Sequence, residues 1–269
     1  MTLLLAGAGL GPGHFTRELI EALRRADMVY VEEYTMPSGL RLVEEVRRYT
    51  GRVVEASRGM LEEGAASIVE EASQGLVVVV TGGHPLIATT HVSLLALARS
   101  RGVEARVIHG VSGVVAAMTV AGLDFYKYGR IVTIPGPWRG VKPYSVAEYI
   151  YLNTAAGLHT MMLLDIDEGG RQLCLGDAVE TLLSIDRESV ITGYKLLLVV
   201  NAGMEGERVE AIRAEPGLEC HEGIASLIYP GGLSRIEAEN IEAIHGIKLD
   251  PSIYQEARRI AARLLGSTI

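Results

Sequence analysis

The sequence predicts an α/β protein of two domains, with a mainly parallel sheet in the first and a mixed sheet in the second. Three observations carry that prediction. Up to about residue 120, short apolar, β-branched runs alternate with segments of helical period. Three of the strand-to-helix turns are glycine-rich, at 7–13, 82–85 and 110–113. From about residue 124 the connections between strands shorten, as a mixed sheet allows and a parallel one does not.

Taken in order, residues 2–8 (TLLLAGA) read as a strand that turns through Gly9, Gly11, Pro12 and Gly13 into a helix over 14–25. A strand at 27–32, a helix around 38–49, a strand at 51–56 and a helix at 62–74 follow. Residues 76–80 are five apolar, mostly β-branched residues, the signature of a strand buried on both faces. Pro85 ends that ladder, Gly82 and Gly83 let the backbone approach a ligand, and a helix runs on to about Ser100. A strand at 102–108 ends at His109-Gly110-Val111-Ser112-Gly113, which opens an Ala/Val-rich helix. Such alternation implies right-handed crossovers and places the three glycine turns at the carboxyl edge of one sheet, where open α/β sheets bind ligands.

The polar, aromatic stretch 124–129 and the run Pro135-Gly136-Pro137-Trp138-Arg139-Gly140 mark a change of pattern around a strand at 130–134. A boundary near residue 127 is expected, separating domains 1–126 and 127–269. The second half then reads as helix 144–156, strand 158–165, helix 176–184 and strands at 195–200, 207–213 and 224–229. Helices at 235–244 and 252–265 close it. No internal repeat or low-complexity segment is present.

Composition narrows the function. With 48% apolar residues in 269, the chain can bury a large core. A net charge of −8 and the lack of a Lys/Arg run argue against nucleic acid as the main partner. No secretory signal and no apolar run of about 18 residues is found, so a cytoplasmic protein is expected. Cys174 and Cys220 lie far from any C-x-x-C spacing and read as reduced thiols rather than a disulfide. Arginine outnumbers lysine 21 to 4, and only three Asn and three Gln occur, a tendency of heat-adapted proteins. A melting midpoint in the mesophile range would overturn that expectation.

The first glycine turn is weighed against a dinucleotide fingerprint. Gly7 and Gly9 fit, and Glu32 or Glu33 sits where a ribose-binding acid would lie, but Pro12 stands where the third glycine belongs. Proline has no N–H to offer a pyrophosphate. No P-loop motif occurs, and G-x-S-x-G around Ser112 fails at Val114, leaving Ser112 as a helix N-cap or ligand hydrogen-bonder. His84 and His91 lack a third metal ligand. Asp165, Asp167 and Glu168 read as a solvated strand end sooner than a cation site, and His109 and His159 as structural histidines. What remains is a ligand-shaped cleft without a conspicuous acid, base, nucleophile or metal. It suits a cofactor that carries its own reactivity, as S-adenosylmethionine does in methyl transfer.

The loop Gly9-Leu10-Gly11-Pro12-Gly13, the strand ending in Gly83-x-Pro85 and a second α/β domain resemble the tetrapyrrole methylase-like, class III S-adenosylmethionine-dependent methyltransferases. VYVEEYT (29–35), GGHPLIATTH (82–91), GLDFYKYG (122–129), GLHTMMLLDI (157–166) and LIYPGGLSRIEAE (227–239) are similar to the branch of that family acting in diphthamide biosynthesis. The resemblance implies a homodimer with the cofactor in a cleft between two α/β domains. It implies methylation, to trimethylammonium, of the amino group of a modified histidine on translation elongation factor 2. It also implies cofactor contacts from Leu10, His84, Ile87, Ser112, Gly113, Leu164, Ala202 and Ala225, with no catalytic side chain and no metal. The family usually has Gly-Asp-Pro where this chain has Gly83-His84-Pro85, so His84 would act as neutral imidazole or through its backbone.

The rival readings are a porphyrinoid C-methyltransferase, kept by Gly11-Pro12-Gly13, and an NAD-dependent oxidoreductase, opposed by Pro12. An RNA methyltransferase of similar fold is disfavoured by the acidic charge. A non-catalytic interaction module would not need three glycine turns on one sheet edge.

Overall fold

The computed structural model describes residues 1–32, 34, 41–167 and 169–266. The chain divides into two compact units: Met1–Val114 with Glu168–Arg171, and Val115–Asp167 with Gln172–Ile269. Position 127, where the sequence pattern changes, lies in the second unit, on the short 3-10 turn Phe125–Lys127.

In the first unit, β1 (Thr2–Gly7), β2 (Met28–Glu32), β3 (Val53–Ala56), β4 (Leu76–Thr81) and β5 (Glu104–Ile108) form a fully parallel sheet in the order β3-β2-β4-β1-β5. The central strand β4 is inside from its second residue on: Val77 to Val80 are all solvent-free. Its alternating side chains feed two cores. Val77 and Val79 join Leu3, Leu5, Ile68, Val69 and Leu94, the last three from α4 (Ala65–Ala72) and α5 (Val92–Ser100). Val78 and Val80 join Val29, Val31, Leu19, Leu23, Val43 and Val46, the last four from α1 (Arg17–Arg25) and α2 (Leu42–Arg47). Each fully buried side chain of this size contributes about 1.5–3 kcal/mol.

Local chemistry explains where helices begin. Thr16 caps α1 by accepting from the Leu19 amide, so the helix expected at 14 starts at Arg17, after a 3-10 turn at Pro12–His14. The helix expected at 62–74 is α4, which starts three residues later; a separate turn of helix, α3 (Arg58–Leu61), precedes it, and between the two the Gly64 amide donates to the Gly59 carbonyl. The helical period read after Pro85 is not a helix: 84–91 is a chain of turns with Ala88 at φ +58°, and α5 begins at Val92. Residues 38–40 of the helix expected at 38–49 lie outside the described residues, as does Glu33.

The second unit carries a mixed sheet in the order β6-β7-β10-β8-β9, formed by β6 (Val132–Ile134), β7 (Thr160–Leu164), β8 (Lys195–Val200), β9 (Arg208–Arg213) and β10 (Ala225–Tyr229). Only β6 and β7 run parallel. The helices are α6 (Gly113–Val120), which leads into the unit, α7 (Tyr144–Ala155), α8 (Leu175–Ile185), α9 (Arg235–His245) and α10 (Pro251–Gly266). α9 starts on a capping box between Ser234 and Glu237. Among the described residues no helix is long and apolar enough to cross a membrane.

The cysteine expectation is corrected. Cys174 and Cys220, 46 positions apart, form a disulfide with their Cα atoms 4.9 Å apart. Cys174 sits at the N-cap of α8 and Cys220 in the loop before β10, so folding brings together what sequence spacing separates. Intracellular proteins of hyperthermophiles keep such bonds, so the disulfide does not oppose the arginine-rich, amide-poor composition.

Candidate functional site

The three glycine turns of the first unit close on one another through bare backbone. The amides of Gly9 and Gly83 each donate to the other's carbonyl, at 3.1 and 2.8 Å, and Ala8 N donates to Thr81 O at 2.8 Å. A Cβ on Gly7 would stand 2.5 Å from the Gly83 carbonyl oxygen and 2.8 Å from the Gly110 amide, and a Cβ on Gly110 would meet Gly83 and Gly7 at least as closely. These glycines therefore let the ends of β1, β4 and β5 pack against each other.

The same lacing weakens a dinucleotide reading. Pro12 opens the 3-10 turn without an N–H. The Leu10 amide is spent on His14 Nδ1 at 3.1 Å, and the His14 amide on Gly11 O at 2.9 Å. A shallow pocket beside this loop is lined by Ala8, Gly9, Gly11, Pro12, Phe15, Leu42, Glu45 and Gly82, and by none of the eight candidate cofactor residues.

Of those eight, Leu10, His84, Ile87, Ser112 and Gly113 belong to this edge. Leu10 is buried and its Cδ2 would lie 3.4 Å from a Cβ on Gly113, so the two are neighbours. Ser112 is buried, while His84 and Ile87 are half-buried, with the Ile87 amide closing a turn onto the His84 carbonyl. Thr81, the last residue of β4, is fully buried with an Oγ1 that has no hydrogen-bond partner among the described residues.

His84 makes a pair with His109, Nε2 to Nδ1 at 2.8 Å. The direction follows from a third group: His84 Nδ1 accepts from the Leu86 amide at 3.1 Å. A neutral His84 therefore carries its hydrogen on Nε2 and donates to His109 Nδ1. The remaining lone pair of His84 is occupied, so this ring takes up a proton only by giving up the Leu86 bond. Burial, then the neighbouring His109 ring, lowers the pKa of His84 below the usual histidine range, in keeping with a neutral imidazole.

In the second unit, Leu164 ends β7, Ala225 opens β10 and Ala202 follows β8. Because β10 runs antiparallel to both neighbours, pairing Ser226 with Leu163 and Ala225 with Val200, all three lie at one edge of the sheet. All three are buried.

Asp165 holds no open cation site. It takes a bidentate ion pair from Arg139, Nε and Nη2 at 2.8 and 3.0 Å, and the amides of Gly136 and Ile166. Burial opposes its charge, but Arg139 and those amides outweigh it and lower its pKa. Glu168 lies outside the described residues. Among those described, no group of three or more His, Cys, Asp or Glu is placed to hold a metal ion.

His159, expected to be structural, is fully buried and hydrogen-bonds Glu237 at 2.9 Å. Glu237 also holds Lys127, so the stretches 122–129, 157–166 and 227–239 meet in one polar cluster of the second unit. Sequence reasoning missed two residues at the sheet edge, Gln172 and Asn201, because an isolated amide side chain carries no motif.

A sheet of five parallel strands, a mixed five-stranded sheet and glycine-laced turns define an α/β protein of methylase type. The chain belongs to the Tetrapyrrole (Corrin/Porphyrin) Methylases, whose family model matches residues 2–215. Among relatives, it is 44% identical to a diphthine synthase of Aeropyrum pernix, over 95% of this chain and 92% of that one. It is 36% identical to a diphthine synthase of Pyrobaculum neutrophilum, over 91% and 98%. Of solved structures, a conserved hypothetical protein of Aeropyrum pernix superposes with a TM-score of 0.90 at 43% identity, covering 98% of each chain. A diphthine synthase superposes at 0.82 with 28% identity, covering 97% of this chain and all of the other.

Proposed function

We propose that this protein is an S-adenosylmethionine-dependent N-methyltransferase that methylates the amino group of the modified histidine of translation elongation factor 2, to trimethylammonium, in diphthamide biosynthesis. The observation that carries this is end-to-end similarity to diphthine synthases, 44% identical over 95% of the chain. Neither rival has a comparable observation: the Leu10 and His14 amides of the first turn are spent within the loop and Pro12 has none, against a nicotinamide cofactor, and the relatives do not favour a porphyrinoid substrate.

In this reading Leu10, His84, Ile87, Ser112 and Gly113 of the first unit and Leu164, Ala202 and Ala225 of the second hold the cofactor. The residues fit such a group: small or apolar side chains beside bare backbone, with the orphaned Thr81 hydroxyl at the first edge. The cofactor supplies a methyl already activated on a sulfonium. The chain's task is to bind, align and desolvate. The reacting amine must be neutral, and a site that excludes water disfavours its charged form. His84, with its Nδ1 lone pair engaged by the Leu86 amide, orders the 84–87 turn. The protein works as a cytoplasmic homodimer.

Calorimetric titration with S-adenosylhomocysteine tests the class: micromolar binding, weakened by Gly113→Leu, is expected. Absence of binding by folded protein would overturn it. Transfer of labelled methyl to elongation factor 2 carrying the unmethylated precursor tests the substrate.

A further inference from the structure

At the edge of the second sheet where Leu164, Ala202 and Ala225 lie, the strand ends are held by two side-chain amides. Gln172 Oε1 accepts from the Ala225 amide at 2.8 Å, and its Nε2 donates to the Ala225 carbonyl at 2.9 Å. A carboxamide offers one acceptor and one donor side by side, so Gln172 pairs with Ala225 as a strand residue would. The Gln172 backbone bridges Ile166, and the Leu173 amide donates to the Asp165 carbonyl at 2.8 Å. One residue thus ties the end of β7 to the start of β10.

Asn201 does the same from β8. Its amide donates to the Ile224 carbonyl at 2.7 Å, its Oδ1 accepts from the Ile224 amide at 2.9 Å, and its Nδ2 reaches the Glu205 carbonyl at 3.3 Å. It adopts φ +51°, a conformation asparagine tolerates better than most residues. A third tie lies alongside. The disulfide joins Cys174, two residues past Gln172, to Cys220, whose neighbour His221 donates from Nε2 to Gln172 Oε1 at 3.3 Å.

We propose that Gln172 and Asn201 are positioning residues for cofactor recognition, fixing the backbone of Ala225 and Ala202 as an apolar shelf for the flat adenine ring. This rests on the methyltransferase reading and deepens it. Alanine brings no polar side chain to a ligand, so its contribution depends on where its backbone stands and on what its peptide groups leave exposed. Gln172 occupies both polar groups of Ala225, leaving the Cβ and peptide faces, which suit an aromatic ring better than a charged group. Replacing the amide would leave a buried N–H and C=O unpaired at the shelf, a cost that falls on the bound state when the ligand excludes water from them.

The test is calorimetric titration of wild type, Gln172→Leu, Gln172→Glu, Asn201→Ala and Asn201→Asp with S-adenosylhomocysteine, beside their melting midpoints. Gln172→Leu and Asn201→Ala are expected to raise Kd about tenfold or more, and the cofactor KM in parallel, with kcat at saturating cofactor within about twofold of wild type. Asn201→Asp keeps the acceptor for the Ile224 amide but loses the longer bond to the Glu205 carbonyl, and should bind better than Asn201→Ala. Gln172→Glu turns an oxygen toward the Ala225 carbonyl and should bind weakly despite keeping the other bond. Variants that melt earlier but bind within twofold of wild type would overturn the proposal and leave the methyltransferase reading standing. Wild type that binds no S-adenosylhomocysteine would overturn both. Should Gln172→Leu fail to fold, Gln172→Glu and the Asn201 pair decide.

Discussion

Glu237 shows how single residues set the pH behaviour of this protein. Its carboxylate is buried, yet it receives Lys127 Nζ, His159 Nε2 and the amides of Asp124 and Ser234. Burial alone would raise its pKa, but His159, Lys127 and Ser234 outweigh that and hold it far below the carboxylate range. With a lowered folded-state value, its stabilisation is present above the ordinary Glu pKa and is lost as pH falls below it. Glu237→Ala leaves buried His159 without its acceptor and Lys127 with the Gly232 carbonyl but no counter-charge, and should cost about 3 kcal/mol or more in urea unfolding at neutral pH. His84 and His91 act higher on the pH scale. Burial lowers both, so their unfolded forms bind protons first as pH falls through the ordinary histidine range. Stability from these groups is full above about pH 6.5 and declines below it. His84→Asn should flatten that part of the stability–pH curve, measured by denaturant midpoints between about pH 5 and 7.

At the scale of elements, the ends of β1, β4 and β5 are joined where no side chain fits. A Gly110→Ala methyl would overlap the Gly83 carbonyl and the Gly7 backbone. Overpacking of this kind costs about 1–3 kcal/mol, and here it displaces the 83–87 turn as well. The variant is expected to melt earlier and bind S-adenosylhomocysteine more weakly than Gly102→Ala. That control places its methyl in open space at φ +75°, and so reports backbone strain alone. Equal affinities for the two variants would show that the turn does not matter to binding. The 84–91 stretch teaches the complementary lesson. Its apolar spacing imitates a helix, but Pro85 and the His84–Leu86 bond commit it to turns.

For the molecule as a whole, the Cys174–Cys220 bond restrains the unfolded chain across 46 positions. Loop-closure entropy for that span is worth about 3–5 kcal/mol. Cys174→Ser, or reduction of the native protein, should lower the thermal midpoint by about 10 °C. A midpoint that does not move would mean that the packing around Gln172 and His221 already confines this loop. The arginine excess and scarcity of Asn and Gln lead to the same experiment from composition, since they predict a wild-type midpoint above the mesophile range.

The sequence by itself determined the order of strands and helices, the parallel first sheet and mixed second sheet, the glycine turns and the family. Each of these is written in local periodicity, in residues such as Pro12 that lack a donor, or in contiguous motifs such as 82–91. Tertiary structure alone decided the rest. Cys174 and Cys220 are bonded, His84 is locked to His109, and Lys127, His159 and Glu237 share one cluster. Gln172 and Asn201 brace the edge formed by β7, β8 and β10. The physical reason is common to all four. Hydrogen bonds and disulfides depend on distances of a few ångströms, and partners 23 to 110 positions apart acquire such distances only when the sheets align them.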